Sequence, residues 1–220
     1  MKNFKPEELS IQKKLLSESG NPGNPQGDSG EAIIERMNIS HYDFTTWALE
    51  QIKIPNSGNI IDLGCGGGLT LKRLSAESAD SRLFGLDYSD VSVRKTAEIN
   101  KDDVASGKMK VLNASIDDIP FEDDTFDLVT SFETIYFWGD HVETLQEIKR
   151  IMKNGALFLF ASEAYDYDGI SQTTREVLKR KGIYNPGYAE YQYFYEKAGF
   201  SKYQILTKEG TDWICVMAVK

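Results

Sequence analysis

The chain has 220 residues, with 34 acidic against 25 basic side chains and a formal charge of −9. That length suits one α/β domain with a decorated end, and the acidic balance disfavours a partner gripped through its phosphates, because nucleic-acid binding rests on clustered Lys and Arg. Only two cysteines are present, Cys65 and Cys215, so neither a disulfide framework nor a four-ligand zinc site is expected within the chain, and no metal is assigned.

Residues 6–19 read as an amphipathic helix, and Gly20-Asn21-Pro22-Gly23-Asn24-Pro25-Gln26-Gly27-Asp28-Ser29-Gly30 as a flexible loop rich in breakers. The opening residues Met1 to Pro6 lack the apolar core of a signal peptide, and no apolar run is long enough to cross a bilayer. The expected location is the cytoplasm, without membrane insertion; the oligomeric state is left open. Residues 31–49 form two helical segments hinged at about Asn38 to Ser40, with Ser40 as N-cap and Asp43 three residues on. Residues 1–54 are thus expected to make a helical cap, covering a sheet edge or closing as a lid over substrate, ahead of a domain spanning 55–220.

From residue 58 the pattern alternates. Strands are expected at 60–63, 82–86, 109–112, 126–131 and 156–162, with helices at 68–78, 90–104 and 140–152. Repeated βα units specify a doubly wound, mostly parallel sheet with helices on both faces. Further helices are expected at 172–181 and 188–198, and strands at 200–207 and 213–219 joined through Glu209-Gly210-Thr211 as an antiparallel hairpin.

The stretch Asn59-Ile60-Ile61-Asp62-Leu63-Gly64-Cys65-Gly66-Gly67-Gly68-Leu69-Thr70 reads as a buried strand, a glycine turn and a helix start. Such a turn lets a ligand touch bare backbone and aims helix N–H groups at it. A dinucleotide loop wants a third glycine where Leu69 stands, and a phosphate-binding loop wants Lys followed by Ser or Thr, which is also missing. Asp62 would repel a phosphate and attract an ammonium or a sulfonium. In such a sheet the ligand lies beyond the carboxyl ends of the strands, at the point where strand order reverses. Gly64, Asp87, Ser115 and the stretch Ser131 to Trp138 all fall there, each after a different strand.

These residues resemble the class I, Rossmann-like S-adenosylmethionine-dependent methyltransferases, whose first motif is similar to Ile61-Asp62-Leu63-Gly64-Cys65-Gly66-Gly67-Gly68. The resemblance covers roughly residues 55 to 163 and is of the small-molecule type similar to ubiquinone and menaquinone biosynthesis methyltransferases. It implies a seven-stranded sheet, S-adenosylmethionine as cofactor and S-adenosylhomocysteine as product. It further implies a cofactor site at Asp62, Gly64, Cys65 and Gly66, with Asp87 taking both ribose hydroxyls beside Tyr88 and Ser89. Ser115 and Ile116 would face adenine, with Ser115 standing where many relatives carry an acid, and Ser131 closes the fourth strand. Asn154 replaces the proline of the turn before the fifth strand.

Methyl transfer from a sulfonium is an in-line displacement, so alignment matters most and a base only where the acceptor must lose a proton. Glu133, His41 and His141 are the base candidates, Glu133 and His41 being preferred. Tyr42, Tyr136 and Trp138 are expected around the acceptor, with Met37 and Phe137 as further wall candidates. The acceptor expected is a small organic molecule rather than nucleic acid. A nicotinamide-dependent oxidoreductase and a non-catalytic S-adenosylmethionine-binding protein remain alternatives.

Overall fold

The computed structural model describes residues 8–180 and 182–220. Seven strands, β1 (Ser57–Leu63), β2 (Asp80–Asp87), β3 (Met109–Asn113), β4 (Phe126–Phe132), β5 (Met152–Ser162), β6 (Lys202–Thr207) and β7 (Ile214–Val219), form one sheet in the order β3-β2-β1-β4-β5-β7-β6. The first five are mutually parallel, and β7 runs antiparallel between β5 and β6. β1 pairs with β2 on one side and β4 on the other, so strand order reverses beside it.

Successive residues of a strand face opposite sides, which explains the unbroken apolar runs. Ile60 and Leu128 pack on the side of α3 (Tyr42–Leu49) and α4 (Leu69–Glu77), with Phe44, Leu49, Leu71 and Leu74. Ile61 and Val129 pack on the other side, with Leu145 and Ile148 of α7 (His141–Ile151) and Tyr191 and Tyr195 of α9 (Tyr188–Lys197). Burying each such side chain contributes roughly 1.5–3 kcal/mol before the entropy of ordering it. Phe44 and Leu49 thus belong to the same apolar cluster as the strands.

Several boundaries differ from those expected, each for a local reason. Pro6 and Glu7 lie outside the described residues; among those described the first helix, α1, spans Ile11–Glu18, with Ser10 accepting from the Lys13 N–H as its cap. The breaker tract is not loop throughout. Its last four residues start α2 (Gly27–Ser40), and Gly30 is buried where a side chain would meet the Pro25 backbone at 2.7 Å. Ser40 is not the cap of α3: its hydroxyl turns back to the Met37 carbonyl, and the two helices break at His41.

The helix expected at 90–104 splits into α5 (Asp90–Ile99) and α6 (Lys101–Ala105). Asn100 causes the break, because its side-chain amide donates to the Thr96 and Gly68 carbonyls and so competes with the helical ladder. Lys153, Asn154 and Gly155 run inside β5, where the pairing register with β4 shifts, instead of forming a turn before it. Lys181 is outside the described residues, and α8 is Gln172–Arg180.

Candidate active site

Above the carboxyl ends of β1, β2 and β4 lies a cavity lined by the glycine turn, Asp62, Asp87, Ser115 and Glu133, and by Pro22, Met37, Asn38 and His41 from the amino-terminal segment. The turn is held from beneath. The N–H groups of Gly64 and Cys65 both donate to the Leu86 carbonyl, at 2.7 and 3.0 Å, locking the end of β1 to β2. The outward carbonyls are also taken: Thr96 Oγ1 donates to Gly66 O, Asn100 to Gly68 O and Asn38 to Gly67 O. Gly64 has φ +72°, and a side chain there would lie 2.4 Å from Thr134 Cγ2, so both backbone angle and space require glycine.

Two carboxyl groups flank the turn. Asp87 ends β2 and accepts from the Gly66 N–H and the Ser89 N–H, both at 2.9 Å. A carboxylate has about four acceptor sites, so lone pairs remain for a diol. Burial raises its pKa above the ordinary carboxylate value, against the pull of those two hydrogen bonds. Asp62 is only 2% exposed and accepts from Thr130 Oγ1 at 2.7 Å. Burial, aided by the Asp87 charge and opposed by Thr130, pushes it up to about 7. A positive charge placed beside this carboxyl group would favour its ionised form and draw that pKa back down.

Ser115 and Ile116 line the cavity after β3, as does Tyr88, which is half exposed at its rim. Cys65 lines it too, with its side chain buried under the turn, where Sγ lies 3.6 Å from Thr96 Oγ1. Ser89 and Ser131 stand outside the lining. Ser89 caps α5 and donates to the Pro25 carbonyl at 3.0 Å, pinning the amino-terminal segment to the site. Ser131 donates to Leu63 O and bonds Thr134 Oγ1.

Glu133 and His41 both reach the cavity. Glu133 follows β4 with φ +56°, a rare angle for a non-glycine residue. Its Oε2 accepts from the Tyr136 hydroxyl at 2.7 Å, and its Oε1 accepts from the Glu163 N–H. His41 Nε2 lies 3.5 Å from Glu163 Oε2. Burial lowers the His41 pKa, Arg36 adding to this while Glu133 opposes it. Burial and then the Glu133 charge push Glu163 up to about 8.

Tyr136 does not line the cavity; it supports Glu133 from behind and contacts Ser162 Oγ at 2.6 Å. Tyr42 also stands off it, its ring 4.8 Å beneath the Arg73 guanidinium. Trp138 lines the cavity and donates to Thr134 Oγ1 at 3.2 Å. Phe137 covers Gly23, where a side chain would come within 2.6 Å of its ring. His141 is stacked on Phe194 at 4.8 Å, away from the lining. Sequence reasoning missed Glu163 and Asn38. Neither carries a motif, and only strand pairing and helix docking bring them here.

The glycine turn without a phosphate-binding cation, the acidic groups on either side of it and the reversal of strand order beside it lie together at the carboxyl ends of the strands of a Rossmann-like sheet. Residues 61–160 match the family described as a methyltransferase domain. Dimethylglycine N-methyltransferase of Parasynechococcus marenigrum (strain WH8102) is 31% identical over 107 residues, 49% of this chain and 38% of that protein. The mitochondrial ubiquinone biosynthesis O-methyltransferase of Candida albicans is 33% identical over 117 residues, 50% of this chain and 34% of that one. The chain therefore spans little more than a third of these relatives. Among solved structures, Haemonchus contortus phosphoethanolamine N-methyltransferase 2 in complex with S-adenosyl-L-methionine superposes with a TM-score of 0.75 at 14% identity, covering 96% of this chain and 60% of that one. That likeness is one of fold.

Proposed function

We propose that this chain moves a methyl group from S-adenosylmethionine to a small organic acceptor. The observation that carries the reading is the cradle itself: a glycine turn with Asp62 and Asp87 on either side, facing a third acidic side chain, Glu133, across one cavity. S-adenosylmethionine, when bound, supplies a methyl group already activated by positive sulfur. Asp87 accepts from the two ribose hydroxyls, and Asp62 sits by the amino-acid tail, where the positive charge of an ammonium group favours its ionised form and its proton is released to solvent. Ser115, Ile116 and Tyr88 frame the adenine side. Backbone at Gly64, Cys65 and Gly66 follows the tail.

The acceptor enters from the side of His41, Glu133 and Trp138. Glu133, held at both oxygens, takes a proton from an acceptor that must lose one, and His41 stands beside it with a neutral ring. Alignment is expected to supply the larger share of the acceleration, on the order of 7–11 kcal/mol when geometry is right. Residues 1–54 act in this reading as a cap, with the described part of α2 and the 20–26 segment closing over the cofactor. The net charge of −9 supports a small acceptor over nucleic acid. Calorimetry tests the cofactor step: heat from S-adenosylmethionine and S-adenosylhomocysteine, and none from NAD, is expected. A screen for S-adenosylhomocysteine release across small amines, phenols, thiols and carbon acids then tests turnover. Silence in that screen with intact cofactor binding would make the protein a sensor.

A further inference from the structure

His41 at the α2–α3 break and Glu133 after β4 line the cavity, and Glu163 after β5 meets both of them from outside the lining. One ligating atom of each lies within 4.8 Å of the other two. We propose that His41, Glu133 and Glu163 bind one divalent transition-metal ion beside the position of the transferred methyl group. Metal binding itself does not depend on the methyltransferase reading; the use of the metal by the acceptor does.

Charge argues for a cation at this point. Two carboxyl groups meeting at the edge of an apolar pocket repel each other once ionised, and among the described residues no Lys or Arg is paired with either. Donor chemistry argues for a metal of a particular class. A neutral imidazole nitrogen with two carboxylate oxygens suits Zn²⁺, Co²⁺, Mn²⁺ or Fe²⁺, whereas Mg²⁺ and Ca²⁺ favour oxygen alone.

Spacing separates a metal from an ammonium ion. Ligands bound at about 2.1 Å stand roughly 3.0–3.4 Å apart around an octahedral or tetrahedral centre. Acceptors about 2.8 Å from one ammonium nitrogen would stand roughly 4.6 Å apart. The 3.5 Å between His41 Nε2 and Glu163 Oε2 lies with the metal, whereas the three ligating atoms as a set lie within 4.8 Å, so Glu133 has to draw in as the ion binds.

The site also has an outer layer. Glu133 is aimed by the Tyr136 hydroxyl and the Glu163 N–H, and Tyr136 is itself fixed against Ser162. Outer partners of this kind orient metal ligands, and losing one weakens binding about 10–100-fold. The positive φ of Glu133 is a local strain of about 1–3 kcal/mol that a bound ion would justify. Three protein ligands leave further positions on the ion, so an acceptor with an oxygen or sulfur donor binds there with the pKa of its O–H or S–H lowered; the proton passes to solvent water, and Glu133, then a ligand of the ion, is not the base. The two carboxylates offset the charge of the ion, so a sulfonium nearby is not repelled.

The test uses the whole chain, stripped with a chelator and titrated with Co²⁺ alone, followed by calorimetry and by visible absorption of the bound ion. One equivalent is expected to bind with a Kd in the micromolar range, weakened at least tenfold in Glu163→Gln and in His41→Ala. S-adenosylhomocysteine binding by the same variants shows that they are folded. Absence of saturable Co²⁺ binding up to about 1 mM, or binding that survives both substitutions, overturns the proposal. Heat from methylammonium chloride with none from Co²⁺ would likewise overturn it and make the cluster an ammonium pocket. Wild-type protein that binds Co²⁺ but no S-adenosylhomocysteine would leave the metal site standing and sink the methyltransferase reading alone.

Discussion

Asp62 is a residue whose protonation the fold sets. Its pKa rises from 3.8 to about 7, chiefly through burial, so between those values the folded protein holds a proton that the unfolded chain has lost. Stability of the cofactor-free protein from this group therefore falls as pH climbs from about 4 to 7, and stays reduced above that. Asp62→Asn removes the dependence and is expected to raise the urea midpoint at pH 8 more than at pH 5. The ammonium of a bound cofactor favours the ionised form, so binding releases a proton. The affinity for S-adenosylhomocysteine should rise between pH 6 and 8 in the native chain and flatten in Asp62→Asn; a native profile already flat would refute the assignment. Asp87→Ala is expected to weaken the same ligand by about 10–100-fold through two lost charge-assisted hydrogen bonds. Glu133→Gln is expected to lower turnover by about 10²-fold or more if the carboxylate is the base, and full turnover across pH would remove it from that role. Asp87 could be located in the sequence because it follows a strand at the right interval from the glycine turn. Glu163 could not, since it lies 30 residues beyond Glu133 and meets it only because β4 and β5 pair.

At the scale of elements, two contacts decide how the amino-terminal helices sit. Arg73 of α4 is 3% exposed and forks between Thr45 Oγ1 and Thr46 Oγ1 of α3, each at 2.7 Å, above the Tyr42 ring. Arg73→Ala leaves both hydroxyls without this donor and is expected to cost about 2–4 kcal/mol in urea unfolding. Arg73→Lys should recover less than half, because an ammonium lacks the planar fork. α2 is tied more lightly. Its Glu31 and Glu35 reach Lys95 at 3.3 and 3.5 Å, and Glu31 reaches Arg94 at 3.4 Å, surface pairs worth at most about 1 kcal/mol each. Its apolar face is nonetheless buried through Ala32, Ile33 and Ile34, so a closing cap would move chiefly in the 20–26 segment and at the carboxyl end of α2 while the sheet stays folded. Hydrogen exchange over residues 20–41 is expected to slow on adding S-adenosylhomocysteine, more than over β4 or β5. Equal protection everywhere would reject a closing cap.

For the molecule as a whole, a ligand that binds only the folded chain stabilises it by mass action. At a hundredfold excess over Kd the gain is about 2.7 kcal/mol, which for a chain of this length shifts the thermal midpoint by roughly 5–10 °C. S-adenosylhomocysteine should produce that shift and NAD should not. The sequence by itself determined the doubly wound sheet, the glycine turn and the acids at the strand ends, because alternating apolar runs and glycine spacing act over a few residues and need no partner. Only the tertiary structure decided that Ser89 pins the Pro25 segment and that Tyr136 backs Glu133 instead of lining the cavity. Tertiary packing alone also brings His41, Glu133 and Glu163 to one point. Tyr136 and Glu133 are near in sequence, but the Ser162 contact that sets Tyr136 spans 26 residues, and the other contacts join positions 30 to 122 residues apart; their geometry is fixed by strand register and helix docking, which no local pattern encodes.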